Sequence, residues 1–171
     1  SGWSVAFSSR FDHCGSFDAR QFGGTPPALP NINENVFDPR LGVVKTVGGG
    51  VSLTGSVFRA FRGPTMNELY RQSQVGQQIT LANASLKSER ATGYELGGLW
   101  EAGRFGSVRA SYFWTQVNRP IAAVTLSSTP TSSLLMRENL GQLTSKGLNA
   151  DSELHPARFM SLTGVYQFAV S

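Results

Sequence analysis

The chain has 171 residues, the length of a single domain, and only 15% of them are charged against about 25% in ordinary soluble domains. With 11% aromatic residues it is too rich in large rings for a disordered segment, and the single Cys14 rules out a disulfide-stapled fold. The formal net charge of +4 comes mostly from arginines scattered between Arg10 and Arg158 without a basic run, so nucleic acid is not an expected partner.

No apolar stretch approaches the roughly 18 residues of a membrane helix. That excludes a helical span but not a β-barrel, whose strands need only about ten residues of alternating polarity. The mean hydropathy of −0.15 is what such alternation averages to.

The alternation begins at once. Trp3, Val5, Phe7 and Phe11 oppose Ser4, Ala6, Ser8, Arg10 and Asp12, a period of two that predicts a strand over 3–12. A long connection, 14–36, leads to a second strand over 37–44, with Phe37, Leu41 and Val43 against Asp38 and Arg40. A short turn over 46–50 follows. Its Gly48, Gly49 and Gly50 precede a strand, with no Lys-Ser or Lys-Thr after them, which makes them a tight turn and not a phosphate loop. The third strand is 51–60, where Val51, Leu53 and Val57 oppose Ser52, Thr54 and Ser56. After a second long connection, 62–88, come a strand over 94–100, a short turn at 101–104 and a strand over 108–114. A third long connection, 119–136, precedes the last pair of strands, 148–154 and 162–168, which are joined by a short turn at 155–158. The expectation is all-β: seven strands and no helix.

Strict alternation of short and long connections makes an antiparallel up-and-down meander with every short turn at one end. Transmembrane barrels of the outer-membrane type have this asymmetry. The polar parity carries Ser, Thr, Gly, Arg, Asp and Glu with little Lys, as a wet barrel interior requires, where Arg and carboxylate pairs bridge strands. The apolar parity places Trp3, Phe37, Trp100, Phe105, Trp114 and Phe159 near strand ends, where a lipid-facing wall carries its aromatic girdles. The alternative for the same rings is the core of a soluble β-sandwich.

Catalytic chemistry finds no constellation. His13 and His155 fall at opposite ends of different strands, Cys14 has no implied activating base, and Glu89 and Glu95 stand about 20 Å apart along one strand, where each suits an Arg partner across the polar face. Neither an enzyme nor a metal or cofactor site is expected.

One phrase is specific. Phe61-Arg62-Gly63-Pro64-Thr65-Met66-Asn67-Glu68-Leu69-Tyr70 resembles the Phe-Arg-Ala-Pro-Thr-x-x-Glu-Leu-Tyr phrase of TonB-dependent outer-membrane receptors. Arg10-Phe11-Asp12-His13, Asp38-Pro39-Arg40-Leu41-Gly42, the segment from Leu81 to Glu89 before Tyr94-Glu95-Leu96-Gly97, and Arg137-Glu138-Asn139-Leu140-Gly141 with Lys146-Gly147-Leu148 are similar to further phrases of that family, in the family's order. Gly63 in place of Ala and Asn149 where Glu is frequent are departures.

The resemblance implies that residues 1–171 are a segment of a 22-stranded transmembrane β-barrel, from its C-terminal half, with the plug domain and the remaining strands absent from this chain. It further implies an outer-membrane nutrient receptor for a siderophore-, cobalamin- or carbohydrate-type ligand. Its partners would be outer-membrane lipid, the small-molecule nutrient and a TonB-type energy-transducing protein acting through the plug. A passive porin-like channel and a soluble β-sandwich binding module are the alternatives. Arg62, Glu68 and Tyr70 at a loop base have two readings, ligand contact or structure. The structural one is preferred, with Pro64 fixing the turn out of the strand and Arg62 and Glu68 bracing it. Ligand contacts are expected from the loops, at Phe17, Phe22, Tyr70, Gln74, Gln77 and Gln78, where rings and amides are available.

Overall fold

The computed structural model describes residues 2–16 and 32–171. In chain order the elements are β1 (Trp3–Ser16), β2 (Ile32–Gly48), β3 (Val51–Arg62), the short helix α1 (Met66–Tyr70), β4 (Ser73–Val75), β5 (Gln78–Leu81), β6 (Glu89–Glu101), β7 (Gly106–Asn118), β8 (Ile121–Thr129), β9 (Ser132–Asn139), β10 (Gln142–Ala157) and β11 (Met160–Val170). A seven-stranded antiparallel sheet in the order β1-β2-β3-β6-β7-β10-β11 takes the seven long strands in sequence order, and β4-β5-β9-β8 form a second, four-stranded sheet.

Register carries the parity of the sequence across the whole large sheet. One row of directly opposed residues runs Val5, Val43, Gly55, Leu96, Tyr112, Leu148, Phe168. The row displaced by one residue runs Ser4, Val44, Thr54, Gly97, Ser111, Asn149, Gln167. Opposed residues project to the same side, so the first row and its like build an apolar face and the second a polar one.

On the apolar face Tyr94 stacks on Trp114 with ring centroids 5.6 Å apart. On the polar face rings cover glycines instead. Phe58 lies opposite Gly93 and Phe113 opposite Gly147, each ring so close that a Cβ on the glycine would stand under 3.0 Å from it. These pairs compensate a backbone that would otherwise have no side chain to pack.

Among the described residues, nothing covers the apolar face. Phe7 and Phe11 are 67% and 68% exposed, and the apolar residues that are buried, Val36, Leu69 and Leu86, gather where the long connections leave the sheet. A β-sandwich would bury that face beneath a second sheet, so the sandwich alternative fails for the described residues.

The short turns that join strands of the large sheet all fall at one end. Gly49 and Gly50, with φ of 62° and 78°, make the β2–β3 turn, and a 3₁₀ turn at Gly103–Phe105 joins β6 to β7. Arg158 and Phe159 join β10 to β11.

Three expectations change. The long connections are not structureless: 62–88 contains α1, β4 and β5, and 119–136 contains β8 and most of β9. The chain does form a helix, though of only 5 residues. The strands run past the apolar band, so Phe37 and Trp114 lie inside β2 and β7. All three have one cause, which is that polar backbone pairs as readily as apolar backbone while leaving no hydrophobic period to read.

In the intact protein, Leu96→Arg in the middle of the apolar face is expected to destabilise the fold in lipid by about 2–4 kcal/mol, with Thr54→Arg on the polar face tolerated. Ser111 is no equivalent control, because it is buried against Gly97. Urea titration in lipid vesicles measures both. Equal losses on the two faces would contradict the assignment of one face to lipid.

Candidate functional site

At the long-connection end, strand pairing gives way to side-chain bonding centred on Glu68. Pro64 and Thr65 turn the chain out of β3, and Thr65 caps α1: its hydroxyl accepts the Glu68 N–H while the Glu68 carboxylate accepts the Thr65 N–H at 2.8 Å. This reciprocal capping box satisfies amide donors that a five-residue helix cannot satisfy internally. The same carboxylate accepts from the Arg62 guanidinium at 3.2 Å and from Arg137 Nη1 at 3.2 Å.

Arg62 turns its other edge to Glu89, donating Nε to Oε2 at 3.0 Å and Nη2 to Oε1 at 2.9 Å, a bidentate fork. Glu89 also accepts the Ile121 N–H at 2.7 Å. Two carboxylates and two guanidinium groups thus tie the ends of β3 and β6 to α1, β8 and β9. Glu95, the other carboxylate of β6 expected to face an Arg, makes no ion pair among the described residues.

Asparagines close the rest. Asn83 donates to the Arg137 carbonyl at 2.8 Å, and the Asn139 amide holds the Lys87 N–H, the Lys87 carbonyl and the Arg119 carbonyl, each at 2.8 Å. Glu34 of β2 accepts from Ser88 and Arg90. Beneath α1, a cleft of about 100 Å³ is lined by Cys14, Ser16, Ile32, Glu34, Pro64 and Leu69.

Burial would push the Glu68 carboxyl up, but hydrogen bonds from Thr65 and the charge and hydrogen bonds of Arg62 outweigh it and hold the group below the usual carboxylate range.

The residues singled out from sequence separate into groups. Arg62 and Glu68 are bonded to each other and Pro64 stands beside them. Tyr70 closes α1, its hydroxyl 3.2 Å from that of Ser16. Gln74, Gln77 and Gln78 lie on the β4–β5 hairpin, exposed, with Gln74 Nε2 turned onto the Gly76 carbonyl at 3.1 Å. Phe17 and Phe22 lie outside the described residues. His13 bonds Asn35 at 2.7 Å while His155 stands by Glu153 at the opposite end of the sheet, and among the described residues no three metal-ligating side chains gather. Sequence reading missed Glu34, Asn83, Arg137 and Asn139 as bracing groups. Three of them stand in family-like phrases, but each of the four has a partner 50 or more residues away.

The model of TonB dependent receptor-like β-barrels matches residues 1–170. The chain belongs to that family. No curated protein sequence matches it. Among solved structures, the siderophore receptor PirA from Pseudomonas aeruginosa aligns at a TM-score of 0.67 with 18% identity, over 80% of this chain and 28% of its own length. The FrpB iron transporter from Neisseria meningitidis aligns at 0.68 with 17% identity, over 99% of this chain and 24% of its own length. A variant of the ferric enterobactin receptor PfeA of P. aeruginosa, in complex with enterobactin, aligns at 0.64 with 16% identity, over 80% of this chain and 22% of its own length. The chain therefore spans about a quarter of these receptors, and its seven-stranded sheet is a segment of a TonB-dependent-receptor-like barrel wall.

Removing the shared carboxylate with Glu68→Ala leaves Arg62 and Arg137 without a common partner, and is expected to loosen the 66–86 connection by about 1–3 kcal/mol. Because the folded carboxyl titrates below its unfolded value of about 4.3, its contribution is fully present above that pH and is lost as pH falls through the lower folded value. Hydrogen exchange of the β4–β5 hairpin should thus be constant from neutral pH down to about 5 and rise below about 4, after correction for intrinsic exchange. An equal rise in Glu68→Ala would show that another group is responsible.

Proposed function

We propose that the chain is part of the wall and outer loops of an outer-membrane receptor of a Gram-negative-type bacterium, which takes a small-molecule nutrient at its long loops and passes it inward. The observation that carries this reading is the continuous exposed apolar face, built by register across seven strands and suited to lipid alone. Residues Trp3 to Phe11 supply the nine or so residues that a tilted strand needs to cross a bilayer. The structured loops are gathered at the end opposite the tight turns, where a recognition surface belongs.

Energy coupling enters through family membership. The intact receptor would be driven by a TonB-type protein acting on a plug within the barrel. The named functions of PirA, FrpB and PfeA favour iron chelates as the ligand class, with cobalamin and carbohydrate as the other classes receptors of this build accept. Within this reading Gln74, Gln77 and Gln78 are ligand-facing, while Arg62, Pro64 and Glu68 hold the loops.

In the intact receptor, deleting 72–80 is expected to abolish or redirect nutrient uptake while barrel assembly, followed by heat-modifiable electrophoretic mobility, stays near normal. Pro64→Ala combined with Glu68→Ala is expected to impair assembly. Uptake that survives the deletion for every ligand the parent transports would remove the hairpin from recognition. Normal assembly with lost uptake in the double variant would move Pro64 and Glu68 into the binding site.

A further inference from the structure

The β4–β5 and β8–β9 hairpins come from different long connections, yet they pair through β5 and β9 in parallel, Gln78 opposite Ser133 and Thr80 opposite Leu135. Residues 72–86 and 120–136, which hold almost the whole of this sheet, contain no Asp, Glu, Lys, Arg or His and no aromatic ring. In a chain with 15 basic and 11 acidic residues, this leaves most of the loop sheet, among the described residues, without charge.

The sheet has two unlike sides. Register places Ser73, Thr80 and Thr125 in one row about Leu135, and Val75, Gln78, Ser133 and Ser128 in the next. The opposite side carries Ile79, Leu134, Leu81 and Met136 and is half-buried. The first side therefore offers hydroxyl and amide groups, each able both to donate and to accept, on a flat aliphatic ground. Of the charged groups at its base, Arg137 and Arg62 are already paired with Glu68 and Glu89, while Arg71, two residues before Ser73, is exposed.

Resting on the receptor reading above, we propose that this side of the loop sheet recognises an uncharged ligand presenting hydroxyl, carbonyl or amide groups, and not a polyanion. A polyanion surrenders its hydration on binding and needs guanidinium or ammonium groups in exchange, which this surface lacks. A neutral polar ligand exchanges water for hydroxyl and amide partners of matching strength, with no counter-charge required. Two kinds of nutrient share this chemistry: a charge-neutral ferric trihydroxamate chelate and an uncharged oligosaccharide.

The test uses the intact receptor in detergent. Tryptophan fluorescence is titrated with three probes: a neutral ferric trihydroxamate, an uncharged glucose oligomer and a trianionic ferric tricatecholate. Each titration is run in about 0.05 and about 0.5 M salt, on the parent and on Gln78→Ala with Thr80→Val, with heat-modifiable mobility confirming that the variant folds. The expected result is that one neutral probe binds, that its affinity changes less than about twofold with salt, and that the double variant weakens it about tenfold. Which neutral probe binds names the source. Tricatecholate binding that falls with salt and is lost in the double variant would overturn the inference and leave the receptor reading standing. Binding of no neutral probe, or affinities indifferent to the double variant, would also overturn it. The receptor reading fails separately, through uptake that survives deletion of 72–80.

Discussion

Everything in this molecule depends on one register. A strand has a side-chain period of two, so a slip of a single residue between any two neighbours would send the apolar set of one strand to the polar side. Six successive pairings keep parity without such a slip through the body of the sheet. The irregularities in these pairings, between Thr46 and Gly48 and between Leu154 and Ala157, fall next to the tight turns, beyond the rows that build the two faces. A bulge there adjusts how a hairpin closes without displacing a face. Because the faces survive intact, one can meet lipid and the other can carry Arg109 opposite Asp151 and glycines roofed by aromatic rings.

Above the rows, different chemistry has to hold the chain. The connections emerge into water, where a four-stranded sheet of short hairpins is marginal by itself. Two devices support it. Val36, Leu86 and Leu69, the last on α1 itself, supply the buried apolar side chains there. Glu68 and Glu89 join the ends of β3 and β6 to α1 and to the β8–β9 hairpin, so that the position of the wall is passed to the loops through Arg62. Exposed ion pairs taken singly contribute little. Here the carboxylates are largely shielded, each has several partners, and the ends of Arg62 are fixed by a strand, which lowers the entropy lost in holding the geometry.

What was legible in the sequence follows from this division. The seven wall strands read directly because Trp3, Val5 and Phe7, or Val108, Ala110 and Tyr112, repeat with the period that one-sided burial imposes. The loop strands did not read: Ser73–Val75 and Gln78–Leu81 are too short for a period, and both sit among Gln and Ser that suit solvent in any conformation. The capping box was present in Thr65 and Glu68, but a five-residue helix leaves no periodic stripe to confirm it. Arg62 and Glu68 could be placed together because they stand six residues apart, whereas Arg137 reaches Glu68 across 69 residues through a parallel pairing that no local pattern announces.

The separation of charge from the outer surface has a structural reason of its own. Charges at the loop base are held close to partners, where their fields largely cancel a few ångströms away and salt screens the remainder. Carboxylates and guanidinium groups placed on the hairpins would compete with this arrangement, since Arg62 or Arg137 could pair with a new carboxylate at the tip and draw the hairpin down onto its own base. Hydroxyls and amides cannot compete for a guanidinium on equal terms with Glu68, because they lack the opposite charge and the paired acceptor oxygens of a carboxylate. A loop sheet with its charges confined to the base therefore protects the network that positions it, and the same uncharged outer part is left facing outward.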